Sequence, residues 1–225
     1  MPHGLFPDTP AGPQNGGTIF RRSFLNLTRI GLTGGPGCGK SEVGRIFSQF
    51  PGWQCCDADR ICHEIYSEPD SPAVKMMEAR WGSSVRDANG LPDRKVIAEK
   101  IFADEQERQW LNSILHPEIL FRLEQLAAGA KAEFILIEAP LLFESQWHFK
   151  MDRTIAVWSP PEIQMERLLG RGWTREHAEK RIAAQFSAQK KLEMADHGII
   201  NAGTLDALRE QCRRVESEIR KFFHS

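Results

Sequence analysis

Eight residues, Gly34-Gly35-Pro36-Gly37-Cys38-Gly39-Lys40-Ser41, fit the G-x-x-x-x-G-K-[ST] pattern of a phosphate-binding loop. Glycines let the backbone come close enough for several N–H groups to point at a nucleotide's phosphates, at the positive end of a helix. Lys40 supplies a mobile charge for the β- and γ-phosphates. Ser41 supplies a hydroxyl for Mg²⁺, a hard cation that prefers oxygen and arrives with the phosphates. Transfer to a hydroxyl also needs a carboxylate to hold the nucleophile or take its proton, and Asp57 and Asp59 follow Lys40 at close range. The plainer role for Asp59 is to cap the next helix. Glu138 ends an apolar strand, where a carboxylate can orient a metal ion or simply meet solvent. Arg167, Arg171, Arg175, Lys180, Arg181, Lys190 and Lys191 form a basic stretch. Such runs are usually solvated faces, but an arginine-bearing flap can neutralise charge on a transferred group. Arg171 leads this set because Arg171-Gly172 directly follows a helix, where a hinge fits. His116 can touch an acceptor, or merely end one helix before a proline-started one. Cys38, at a helix N-terminus, is expected to have a lowered thiol pKa and raised reactivity.

Those residues need elements to place them. Residues 27–32 read as a short buried strand before the loop, and Val43, Ile46, Phe47 and Phe50 after it have helical spacing. Trp53-Gln54-Cys55-Cys56 is a second strand ending in Asp57-Ala58-Asp59, with a helix carrying Ile61, Ile65 and Tyr66 starting at once. The carboxylates therefore sit at the edge of a parallel sheet where ligands bind. From Ser71 to about Ala130 the pattern is helical and broken. Ser71-Pro72 starts one piece, Asn89-Gly90 makes a turn, one helix ends at His116-Pro117, and a last helix carries Ile119, Leu120, Leu123 and Leu126. This is more helix than a crossover needs, and it predicts an inserted subdomain, over 60–130, that holds the acceptor. Glu133–Glu138 and Thr154–Trp158 are further strands, and Pro160-Pro161 opens a helix. Thr174 caps a long helix running through Ala178, Ile182 and Phe186, which puts Arg181 and Gln185 on one face. Ile199-Ile200-Asn201 is a short edge strand, and Leu205 to Phe222 form the apolar stripe of a final helix.

At 225 residues the chain is one sizeable α/β domain or a core with insertions. A net charge of −1 gives no global field for nucleic acid. No apolar run approaches a membrane span. Five cysteines without a C-x-x-C pair suggest neither disulfide framework nor zinc site, so a reducing, cytoplasmic setting fits. Residues 1–26, rich in Gly and Pro, read as a flexible tail, with Arg21 and Arg22 leaving a weak organelle-targeting reading.

Taken in order, Leu32-Thr33-Gly34-Gly35 with the loop, Asp57-Ala58-Asp59, Gly90-Leu91 with Arg94, Ile101-Phe102, Leu115-His116-Pro117, Pro140-Leu141-Leu142-Phe143-Glu144, Arg181 with Gln185, and Ala195-Asp196 with Ile199 and Asn201 resemble the dephospho-CoA kinase family. The resemblance spans roughly residues 28–222. It implies a P-loop NTPase fold on a five-stranded parallel sheet, an acceptor-side helical domain, a lid over 171–195, and ATP with Mg²⁺. It further implies phosphorylation of the 3′-hydroxyl of the dephospho-CoA ribose. Asp59 would be the base, Arg171 a lid cation, and Gly35 to Glu42 the nucleotide contacts, with Asn201 and Gly203 near the adenine. Asp57, His116, Leu141, Arg181 and Gln185 would lie on the acceptor side. Cys38, Glu42, Glu138 and His197-Gly198 depart from residues more usual in the family. A shikimate-type kinase is disfavoured by the helical insertion and Pro140–Glu144. A P-loop switch is disfavoured by the lack of N-K-x-D and by the basic stretch. Small-molecule substrates, no nucleic acid, no membrane, and a monomer or weak homo-oligomer complete the expectation.

Overall fold

The structure is a computed structural model that describes residues 27–224; the expected tail and its arginines lie outside the described residues. Five strands, β1 (Thr28–Gly34), β2 (Trp53–Asp57), β3 (Phe134–Glu138), β4 (Arg153–Trp158) and β5 (His197–Ile200), form one parallel sheet in the order β2-β3-β1-β4-β5. Strands hidden on both faces read as continuous apolar runs, and alternate residues serve opposite layers. Phe134 and Leu136 face one core with Ile30, Leu32, Val157 and the helices α1 (Lys40–Phe47) and α9 (Leu205–His224). Ile135 and Ile137 face the other, with α2 (Ala58–Tyr66), α3 (Pro72–Trp81) and α5 (Glu105–Gly129). Between α3 and α5 runs α4 (Arg94–Ala103). On α9 the stripe Leu208, Cys212, Val215 and Ile219 is buried as expected, while Leu205 and Phe222 at its ends stay exposed.

Two helical expectations are corrected. The helix expected to end at His116-Pro117 does not end there: α5 continues for 25 residues with Pro117 inside it. Pro117 is exposed, so water can serve the carbonyl its missing N–H leaves free, and the unbroken stripe Leu111, Leu115, Ile119, Leu123, Ala127 offsets a cost of about 3 kcal/mol. The second concerns the long helix after Thr174. After α6 (Pro161–Gly170), α7 spans only Arg175–Ala183, and Ser187 caps a separate helix, α8 (Ala188–Met194), accepting from the Lys190 amide at 3.1 Å. Gln185 therefore lies in the connection, and Arg181 and Gln185 do not share a helix face. No helix among the described residues is long and apolar enough to cross a membrane.

Candidate active site

β1 lies between β3 and β4, so the crossovers leaving its C-terminal end diverge and leave a crevice there. The phosphate-binding loop fills that position. Gly39, at the start of α1, has φ 92°, and a Cβ on it would stand 2.2 Å from Asn201 Nδ2; one on Gly37 would stand 2.6 Å from the Gln164 carbonyl. Only glycine fits at either place.

The loop is held from behind by a network that sequence reasoning missed. Arg167 donates to the Gly37 carbonyl at 3.2 Å, to Ser159 Oγ at 3.0 Å and to the Asn201 carbonyl at 3.2 Å. Asn201 Nδ2 donates to the Cys38 carbonyl at 2.9 Å, and the buried Ser159 donates to the Asn201 carbonyl at 2.7 Å. In the sequence Arg167 is only one member of a basic run, because the two contacts that reach the loop, Arg167 to Gly37 and Asn201 to Cys38, join residues more than a hundred positions apart. The structure thus places Asn201 against the loop, with Gly203 in the exposed turn beyond it. Cys38 contradicts expectation. Its side chain is fully buried in the core with Ala188, and burial pushes the thiol up rather than down. Core packing outweighs the helix N-terminus here. Pro36 is half-buried on the loop, and Glu42 commits its carboxylate to Arg45.

In front of the loop the charges converge. Lys40 Nζ donates to the carbonyls of Gly34 at 3.1 Å and Gly35 at 3.4 Å. Burial lowers its proton affinity, with Glu138 and Asp59 opposing and Arg171 reinforcing that effect. Ser41 donates to Glu138 Oε1 at 3.1 Å, so the hydroxyl of the loop and the carboxylate ending β3 meet. Burial raises the pKa of Glu138. At the end of β2 the capping role falls to Asp57, not Asp59: Asp57 Oδ1 accepts from the amides of Asp59 at 2.9 Å and Arg60 at 3.3 Å. Asp59 keeps its carboxylate free of hydrogen bonds among the described residues. Enough protein surrounds it that desolvation, with Asp57 adding, raises its pKa, while Lys40 and Arg181 pull it back.

Asp59 also lines a cavity of about 150 Å³ with His116, Leu141, Pro140, Asn112 and Trp147. His116 stacks on Trp147 at 4.9 Å between centroids, and burial holds its pKa at about 4, so the ring is neutral near pH 7. A polar cavity of about 320 Å³ shares Asn112, His116 and Ser145 with it and is lined in addition by Glu144 and Arg108. A third cavity, about 530 Å³, runs along the free edge of β2 and reaches Ser41, Asp57 and Glu138. Gln185 is not at this cavity; its Oε1 accepts from Lys191.

A family model described as CoaE, dephospho-CoA kinase, matches residues 28–207. The chain is 38% identical over 175 residues to the dephospho-CoA kinase of Yersinia pseudotuberculosis serotype I, covering 77% of this chain and 84% of that protein. It is 35% identical over 189 residues to the dephospho-CoA kinase of Escherichia coli K12, covering 84% and 91%. Among solved structures, dephospho-CoA kinase from Campylobacter jejuni aligns with a TM-score of 0.56 at 26% identity, over 87% of this chain and 98% of that one. A Thermus thermophilus protein, TT1252, aligns with a TM-score of 0.70 at 27% identity, over 86% and 98%.

Proposed function

This chain belongs to the dephospho-CoA kinase family and carries out the ATP-dependent phosphorylation of dephospho-CoA to coenzyme A, and from that premise we propose how its residues share the reaction. The observation that carries the proposal is Asp59, a carboxylate without hydrogen bonds, standing between Lys40 and the cavity that holds His116 and Leu141. The acceptor ribose sits in that cavity with its 3′-hydroxyl at Asp59. Asp59 takes the proton as the 3′-oxygen bonds to the γ-phosphorus and the bond to the β-phosphate oxygen breaks, leaving ADP. The loop amides from Gly35 to Glu42 and Lys40 bind the phosphates, and Asn201 and Gly203 flank the base. Arg171 and Arg181 bring positive charge from the segment 171–195, which acts as a lid. Support comes from α7, which buries Ala178 alone and so opens at little cost. The helices within 60–130 wall the acceptor side, with Asp57 fixing the start of α2.

Mg²⁺ fits the oxygen donors present. Ser41 and Glu138 already meet, and no group of three or more His, Cys, Asp or Glu among the described residues forms a closed metal cage. That suits an ion that shares its shell with phosphates and water. Bound there, it neutralises phosphate charge. We place the protein in the cytoplasm as a monomer or weak homo-oligomer acting on small molecules, without nucleic acid; its cysteines are all free among the described residues.

The test is ADP release with MgATP and dephospho-CoA, shikimate or no acceptor, with product mass. Gain of one phosphate by dephospho-CoA alone is expected. ADP release indifferent to the acceptor would remove the reading.

A further inference from the structure

Lys191, on α8, is the one fully buried lysine or arginine among the described residues, and the reaction above gives it no task. Its ammonium donates to the Pro140 carbonyl and to Gln185 Oε1 at 2.9 Å, and pairs with Glu144 Oε1 at 3.0 Å. Each partner belongs to a different segment of the site. Pro140 lines the cavity at Asp59, and its carbonyl also accepts from Thr33 Oγ1 at 3.2 Å, just before the phosphate-binding loop. Glu144 lines the adjoining polar cavity, and its Oε1 accepts from the Phe186 amide at 2.7 Å. Gln185 and Phe186 form the connection on which α7, with Arg181, is carried. Glu144 Oε2 is buried with no partner, so the cluster is not saturated. A buried ion pair is a poor device for stability alone, because desolvation offsets most of the attraction.

We propose that Lys191 is a positioning residue that couples the two substrate sites: acceptor seated against Pro140, Leu141 and Glu144 fixes, through the Lys191 ammonium, the base of the segment that closes over the nucleotide. The inference rests on reading the cavity at Asp59 as the acceptor's. Burial also lowers the proton affinity of Lys191, with Glu144 opposing.

The experiment measures the affinity of a nonhydrolysable ATP analogue with and without saturating dephospho-CoA, in the parent, Lys191→Met and Gln185→Leu. In the parent, dephospho-CoA tightens the analogue about fivefold or more. In Lys191→Met and Gln185→Leu this tightening falls below about twofold, while affinity for the analogue alone stays within about threefold of the parent. Gln185→Leu leaves the ion pair intact, so it reports even if Lys191→Met folds poorly. A merely structural Lys191 would lower Tm and leave the tightening at its parental value; that result, or a parent in which dephospho-CoA binds without tightening the analogue, overturns the proposal. Dephospho-CoA that does not bind the parent at all would overturn it together with the reading of the cavity.

Discussion

The nucleotide side and the acceptor side of the sheet edge are built to opposite specifications. Behind the phosphate-binding loop, Arg167, Ser159, Asn201 and Gln164 satisfy one another and the carbonyls of Gly37 and Cys38. On the acceptor side polar groups stand unpaired among the described residues: the Asp59 carboxylate holds no hydrogen bond, and Glu144 Oε2 and Trp147 Nε1 are buried without partners. Backbone amides can bind phosphate only if the loop is already in shape, so that half is finished in advance. A base must remain free to meet its hydroxyl, so the other half keeps groups in reserve and tolerates their electrostatic cost.

The largest expected effect breaks the reserve. Asp59→Asn should lower kcat by about 10²–10⁴, measured as CoA formed per enzyme. The folded-state pKa of Asp59 lies above the ordinary 3.8, so its ionisation costs the folded state, a penalty that sets in near pH 3.8 and is complete once pH has risen through the folded-state pKa. Asn removes that charge, and Tm should therefore stay equal or rise slightly. A loss of Tm, or turnover within about tenfold of the parent, would make Asp59 a structural group.

The mirror experiment attacks the finished half. Arg167→Met leaves the Gly37 carbonyl without its donor and should cost about 2 kcal/mol of stability. That corresponds to a fall in Tm of about 4–8 °C, with KM for ATP rising more than kcat falls. If kcat alone falls and Tm holds, Arg167 acts on the reacting groups and the contrast between the two sides is drawn in the wrong place.

The same contrast explains what was legible in the sequence. The five strands, the loop, and the two aspartates placed where β2 gives way to α2 are local events, each decided by a few adjacent residues and a register. The rest depends on contacts between distant segments. Arg167 reaches Gly37, Lys191 reaches Pro140 and Glu144, and no spacing in a linear pattern announces either. Pro117 misleads because its local preference is overridden by the buried stripe on both sides of it, and Cys38 because a core forms around a position that local rules mark as exposed and reactive. The Arg181–Gln185 pairing failed for a related reason. Glu144 takes the Phe186 amide and Ser187 opens a new helix, two terminations that helical spacing alone does not reveal.

The smallest effect concerns His116, whose ring is kept neutral against Trp147. Its pKa is about 4 in the folded chain against 6.5 ordinarily, so between those values the unfolded state binds more protons. Stability therefore falls as pH drops from 6.5 toward 4, a loss absent above 6.5. The full linkage for one group is about 1.4 kcal/mol per pH unit, and the ring is only half-buried, so about 0.5–1 kcal/mol per unit is expected. Urea midpoints for the parent and His116→Gln at several pH values isolate this contribution, because the carboxylates that titrate in the same window are common to both. The parent should lose ground to His116→Gln steadily below pH 6.5. Parallel profiles would mean that His116 takes its proton in the cavity after all, that the acceptor side carries a cation there, and that its reserve is carboxylate and charge rather than a neutral aromatic wall.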